Sequence, residues 1–314
     1  MIKRKKIALI GGGQIGGILA LLCAQKQLGD VVMLDIPKMK GTVKGKMLDL
    51  TESRGIDGYD VSLEGTSNYA DIAGADVVIV TAGLPRRPGM SRDDLLDINV
   101  GIVSNVAKNV GEHCPDAFCI IITNPLDSMV YTFQKITGFS KNMVCGMAGV
   151  LDTSRFRAFI AMELNVSIED VAATVLGGHG PTMVPLPRLT TVGGVPLTEL
   201  LDADNIEAIS KRTREAGTEI VKLLGNGSAF FSPAASAISM AEAYLMDRKR
   251  VLPIAAYLEG EYGINGYYLG VPAVIGGGGV EKILEIKLTA DEKALLTNSL
   301  DAVKIAVGEV DKRI

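Results

Sequence analysis

The segment that most restricts this chain's architecture is Gly11-Gly12-Gly13-Gln14-Ile15-Gly16, set between the apolar run Ile7–Ile10 and a helical pattern over Ile15–Gln27. Glycines spaced G-x-G-x-x-G at a strand-to-helix junction have separable uses. Gly11 permits a sharp turn, Gly13 lets the backbone approach a pyrophosphate, and Gly16 lets the helix pack closely on the sheet. The free amides at the helix start attract the anion. The motif alone also fits a glycine-rich structural turn. What strengthens it is Asp35, at the end of the run Val31–Asp35 and nineteen positions after Gly16. That is close to the ~20-residue spacing at which a carboxylate meets the ribose hydroxyls of an adenosine. A carboxylate there repels the 2'-phosphate of NADP, so NAD is the expected cofactor. Gly11, Gly13, Gln14, Ile15, Gly16 and Asp35 form the expected binding set.

The rest of the first half repeats the same alternation of short apolar runs and longer helical patterns, the sequence form of a parallel sheet covered by helices. Strands are expected at Ile7–Ile10, Val31–Asp35, Val61–Glu64, Val77–Thr81, Phe118–Thr123 and Met143–Cys145, with helices at Ile15–Gln27, Lys38–Glu52, Leu95–Glu112 and Leu126–Thr137. The pattern changes near Ala148-Gly149. The expected fold is therefore α/β: a Rossmann-type doubly wound parallel sheet over residues 1–149, then a mixed α+β substrate and catalytic domain over 150–314. In that second part, helices are expected at Leu151–Leu164, Asp204–Leu224, Ala229–Met246 and Ala290–Val310. Strands are expected at Val171–Leu176, Arg188–Val195, Val251–Leu258 and Tyr267–Ile275, with a turn at Val192-Gly193-Gly194-Val195 and a tight glycine turn over Gly276–Gly279.

Composition narrows the class. The 314 residues are enough for two fused domains. They are 47% hydrophobic and 22% charged, and no apolar run reaches the ~18 residues of a membrane span, so no membrane partner is expected. A net charge of -4 argues against nucleic acid as the main partner. The basic group Lys3-Arg4-Lys5-Lys6 precedes an apolar run, but the three glycines interrupt it, so it reads as a solvated lead-in rather than a secretion signal. Cys23, Cys114, Cys119 and Cys145 show no metal-ligand or C-x-x-C spacing, and buried free thiols of a reducing cytoplasm are expected.

Two histidines narrow the search for a group that titrates near neutrality. His113 precedes Cys114-Pro115 at an expected helix end and reads as structural. His179 lies in Gly177-Gly178-His179-Gly180, where small neighbours can leave an imidazole open to a ligand; alone, it fits a satisfied core histidine equally well. Asp152 and Arg155 stand three apart in an expected helix and share one face. An aspartate can hold a histidine tautomer there, beside an arginine that binds a carboxylate through two parallel hydrogen bonds. An ordinary surface ion pair has the same spacing.

Five ordered motifs now resemble one family over essentially the whole chain. They are the glycine motif with Asp35; Ala82-Gly83-Leu84-Pro85-Arg86-Arg87-Pro88-Gly89-Met90-Ser91-Arg92; Thr123-Asn124-Pro125-Leu126-Asp127; Leu151-Asp152-Thr153-Ser154-Arg155; and Gly178-His179-Gly180. The chain resembles the lactate/malate dehydrogenases, and within them the bacterial malate dehydrogenases most similar to lactate dehydrogenase. The resemblance implies NAD-dependent oxidation of malate to oxaloacetate, with His179 as proton acceptor and Asp152 stabilising the imidazolium. It implies Arg155 on the C1 carboxylate, Asn124 hydrogen-bonded to substrate, and Arg92 polarising the reacting carbonyl once a lid closes. Asn99, Ile122, Thr123 and Asn124 are implied to contact the cofactor. A homotetramer or homodimer follows from the same likeness, while the cytoplasmic location expected from the cysteines stands beside it. No metal is expected, since histidine can accept the proton and arginine can polarise the carbonyl.

Substrate choice is expected to turn on Arg86. The matching position in lactate dehydrogenases resembles a neutral glutamine, whereas a cation here can pair with the C4 carboxylate of oxaloacetate. A pyruvate methyl would leave that charge without an anion, a cost of about 3–5 kcal/mol in a closed cleft. Ala229 matches a position where lactate enzymes often carry threonine, and its small side chain leaves room for the longer substrate. Lactate dehydrogenase, and a catalytically silent NAD-binding protein, are the alternatives the sequence leaves open.

Overall fold

A computed structural model describes residues 4–85, 92–225 and 227–314. The strands β1 (Lys6–Ile10), β2 (Asp30–Leu34), β3 (Leu63–Thr66), β4 (Val77–Val80), β5 (Phe118–Ile121) and β6 (Val144–Gly146) alternate with helices. These are α1 (Gln14–Gln25), α2 (Lys40–Asp57), α3 (Arg92–His113) and α4 (Leu126–Thr137). All neighbouring strands among the six run parallel. Their order is 3-2-1-4-5-6, that of a dinucleotide-binding doubly wound sheet.

The strands are continuous apolar runs because both faces are covered. Successive side chains point to opposite faces, so Ile7, Leu9, Val31, Met33, Val77 and Ile79 enter one core with Leu19 and Cys23 of α1. Ala8, Ile10, Val32, Leu34, Val78 and Val80 enter the other, against Val103 and Val106 of α3 and Phe133 of α4. All four cysteines are buried and free.

The second half opens with α5 (Gly149–Leu164). The expected strand Val171–Leu176 is two short ones, β7 (Val171–Ala172) and β8 (Val175–Leu176), because the chain changes partner in the middle. β8 pairs with β9 (Val184–Pro185). β7 pairs with β10 (Thr191–Val192), which turns through Gly193 and Gly194, both at positive φ, into β11 (Val195–Pro196). The expected strand Arg188–Val195 therefore reduces to this hairpin, preceded by a helical turn at Pro187–Leu189.

After the short α6 (Leu197–Leu200) come α7 (Ala203–Leu224) and α8 (Phe231–Leu245). Three long antiparallel strands follow, β12 (Arg250–Glu259), β13 (Asn265–Gly276) and β14 (Gly279–Ile283), and then α9 (Ala290–Asp311). The edge strand β14 has no counterpart in the sequence reading, because Glu281 and Lys282 break its apolar pattern. The sheet also does not stop at six strands. Ala255 of β12 pairs with Gly146 of β6, extending it to nine among the described residues. One apolar cluster spans residue 149 as well, with Ala237, Ile238 and Ala241 of α8 packed beside Leu19 and Phe118. Among the described residues no helix is long and apolar enough to cross a membrane.

Candidate active site

The glycine loop lies at the carboxyl end of β1, between β2 and β4, where the strand order reverses. Gly11 takes φ +116°, and a Cβ there would stand 2.5 Å from Thr81 Oγ1. A Cβ on Gly16 would meet the Gly11 carbonyl at 2.1 Å, which is the close helix approach expected of it. Around Gly13 a Cβ would meet nothing within 4 Å, so this backbone faces open space where a diphosphate can approach. Gly13 is the N-cap of α1 with no side-chain cap, and the first turn of Gln14 and Ile15 carries no acidic residue. Its free amides are thus available to an anion.

Asp35 lies just past β2, its Oδ2 accepting from the Gly12 amide at 2.7 Å and its Oδ1 from the Ile36 amide at 2.7 Å. The carboxylate is fixed against the loop that would hold the diphosphate. Gly12 itself has no freedom, since a Cβ would meet Val43 Cγ1 at 2.2 Å; the motif alone treats that position as arbitrary. These features fit NAD.

At the other end of the crevice, Ile122 and Thr123 continue from β5, and Thr123 donates its hydroxyl to the Ala82 carbonyl at 2.8 Å. Asn124, joined to Pro125 by a cis peptide, has an exposed side chain. Asn99 is buried on α3. Its Oδ1 accepts from the Leu84 amide at 2.7 Å, and its Nδ2 donates to Leu84 O at 3.1 Å and Asn124 O at 2.7 Å. Both amide protons are used within the protein, so Asn99 ties together the two loops that border the crevice. Arg86 lies outside the described residues, as do Arg87 and the loop through Ser91; Arg92 is the first residue of α3.

His179, Asp152 and Arg155 come together. Asp152 is 2% exposed on α5, and its Oδ2 lies 2.8 Å from His179 Nδ1. An acceptor-only carboxylate oxygen facing Nδ1 places the ring proton there and leaves Nε2 with its lone pair. Nε2 has no hydrogen-bond partner among the described residues. The other carboxylate oxygen of Asp152 receives Arg155 Nη1 at a long 3.4 Å. Arg155 Nε is buried without a partner among the described residues. This largely buried cation is underpaired, and burial holds its pKa below the ordinary value despite Asp152. An incoming carboxylate would satisfy it.

Burial by itself would depress the His179 pKa. The charge and hydrogen bond of Asp152, with the charge of Asp127, outweigh burial and the opposing Arg155, so the imidazole sits above its ordinary value. Asp127, in the first turn of α4, has no role in the sequence reading beyond its place in the Thr123–Asp127 motif. Its Oδ2 accepts from the His179 main-chain amide at 3.0 Å, and its Oδ1 is buried and partnerless among the described residues. Burial pushes its carboxyl up to about 6, against the opposing influence of His179.

The glycines before His179 have a different purpose from the openness read in the sequence. Buried Ser299 of α9 accepts from the Gly178 amide at 2.9 Å. A Cβ on Gly177 would come within 2.6 Å of Ser299 Oγ, and one on Gly178 within 2.9 Å of Val303 Cγ2. They let the loop press against α9 and α4; only Gly180 faces open space. Nothing near position 299 in the sequence signals this contact. His113 lies elsewhere, at the end of α3 and edge-on to Tyr69 at 6.4 Å.

Residues 5–146 match the family model described as lactate/malate dehydrogenase, NAD binding domain, and residues 149–313 match its alpha/beta C-terminal domain. A malate dehydrogenase of Myxococcus xanthus is 61% identical over 307 residues, covering 98% of each chain. The malate dehydrogenase of Cryptosporidium parvum superposes with a TM-score of 0.96 at 47% identity, over 98% of this chain and 99% of that one. The lactate dehydrogenase of the same organism, solved with lactic acid and nicotinamide adenine dinucleotide, gives 0.95 at 48% identity over 99% of each. The backbone is thus equally similar to enzymes of both names.

Proposed function

We propose that this chain, which belongs to the lactate/malate dehydrogenase family, interconverts (S)-malate and oxaloacetate with NAD. The observation that carries the chemistry is the Asp152–His179 contact, which leaves Nε2 free beside the underpaired guanidinium of Arg155. In malate oxidation, His179 Nε2 takes the hydroxyl proton, while Asp152 holds Nδ1–H and stabilises the imidazolium. Arg155 binds the C1 carboxylate and Asn124 hydrogen-bonds the substrate. Arg92 stabilises charge on the reacting oxygen, where a fixed cation in a dry site acts most strongly. The nicotinamide ring, when bound, supplies the hydride acceptor. In the reverse direction the His179 imidazolium returns its proton to the carbonyl oxygen.

Gly11, Gly13, Gln14, Ile15 and Gly16 receive the diphosphate, Asp35 the adenosine ribose, and Ile122, Thr123 and Asn124, braced by Asn99, the nicotinamide end. On this reading residues 1–149 carry the cofactor and 150–314 most of the substrate chemistry. The double substitution Asp35→Ser with Ile36→Arg is expected to raise the NADPH/NADH ratio of kcat/KM by about 10-fold or more, because a repelling carboxylate gives way to a cation. Steady-state rates with each reduced cofactor test it, and an unchanged ratio would remove Asp35 from cofactor selection.

Malate is favoured over lactate by Arg86, whose charge pairs with the second carboxylate. The Myxococcus relative, named for malate, supports this choice, whereas the backbone likeness does not discriminate. Arg86→Gln is expected to lower oxaloacetate reduction by about 10²-fold and to improve pyruvate reduction. Competing rates with NADH decide it; equal use of both substrates by the unaltered protein would end the malate assignment. We further infer a homodimer or homotetramer acting in the cytoplasm, the subunit number being measurable by light scattering.

A further inference from the structure

Lys46, on α2, reaches the carbonyl oxygens of two peptide groups of the glycine loop. Its Nζ donates to the Gly12 carbonyl at 2.7 Å and to the Gly13 carbonyl at 2.8 Å. It forms no ion pair among the described residues. A Cβ on Gly17 would lie in ordinary van der Waals contact with this side chain, 3.7 Å from Nζ.

The two carbonyls belong to the peptide groups whose N–H ends are Gly13 and Gln14, the N-cap and first residue of α1. Amides at these positions have no intrahelical acceptor. An ammonium on the oxygen end of a peptide polarises it and strengthens its N–H as a donor. The same ammonium adds a whole positive charge next to the partial charge of the helix end. A third N–H of Nζ remains after the two carbonyl bonds.

We propose that Lys46 is a cofactor-affinity residue for the diphosphate bridge: it polarises two loop peptides at their carbonyl oxygens and supplies the local charge that the dianion requires. The proposal rests on the NAD assignment of this loop. A lysine that merely fastened α2 to the loop would position adenosine and diphosphate alike, whereas a charge acting on the diphosphate favours only ligands that carry it.

Calorimetric titration of the full chain with ADP-ribose and NADH, and competition with adenosine, separate these cases. Lys46→Met keeps the aliphatic stem and is expected to weaken ADP-ribose and NADH by about 10-fold at low salt. Adenosine competition should stay at the wild-type level, and the salt dependence of ADP-ribose binding should flatten. Lys46→Gln, which retains a hydrogen-bond donor without the charge, should behave like Lys46→Met and serves if the methionine variant does not fold. An ADP-ribose affinity within about twofold of wild type, or equal losses for adenosine and ADP-ribose, would overturn the proposal. Wild-type protein that binds neither ADP-ribose nor NADH would instead overturn the cofactor assignment beneath it.

Discussion

His179→Asn is expected to lower kcat in both directions by on the order of 10³–10⁴-fold, the contribution of a well-placed general acid and base, while NADH binding is retained. Asparagine keeps a polar side chain of similar reach but cannot hold the proton that leaves the malate hydroxyl. No neighbour among the described residues replaces it. Arg155 is an acceptorless guanidinium, and Asp127 engages the main chain of residue 179 rather than the cleft. His113 packs against Tyr69 at the end of α3. The amide bond to Asp127 Oδ2 survives the substitution, so the loop keeps its place. Stopped-flow turnover and NADH fluorescence titration on one preparation make the measurement. Turnover near wild type would show that another group moves the proton; joint loss of turnover and binding would assign the residue to structure.

Asp152→Asn should cost on the order of 10³-fold in turnover and also displace the pH profile, which a purely structural loss would not do. Removing the carboxylate withdraws the charge and hydrogen bond that oppose burial at His179, so the imidazole pKa falls. Oxaloacetate reduction needs the imidazolium and is lost as pH rises through that pKa. In the wild type, where the pKa is raised above 6.5, reduction should persist to higher pH than an ordinary histidine allows, and in the variant it should fail at lower pH. Malate oxidation needs the neutral ring, is lost as pH falls through the same pKa, and should extend further into acid in the variant. Superimposable kcat/KM profiles for the two proteins would mean that Asp152 does not set the state of His179.

Much of the cofactor half is legible in the sequence because its determinants are local. The conformational freedom of Gly11 and the periodicity of α1 and the parallel strands are properties of contiguous residues. The six expected strands lie within a few residues of their observed bounds, and α4 matches over its full length. The antiparallel half is less legible, because short strands are defined by their partners. Val171–Leu176 is one apolar run in sequence yet pairs with β10 at one end and β9 at the other. The extension of the sheet through Ala255 and Gly146 joins residues more than a hundred positions apart, and no window along the chain contains that information.

The site divides in the same way. Sequence by itself determined which residue types are available: one histidine flanked by glycines, an aspartate and an arginine on one helical face, and a carboxylate at the correct distance from a glycine motif. Only the tertiary structure decided that Asp152 Oδ2 meets Nδ1 of His179, that Asp127 and Ser299 hold the histidine loop from two different helices, and that Lys46 Nζ bonds two carbonyls of the glycine loop. Backbone preference and periodicity act over a few neighbouring residues. The direction of a buried hydrogen bond between distant elements is fixed by how helices and sheet pack, which depends on the whole core at once.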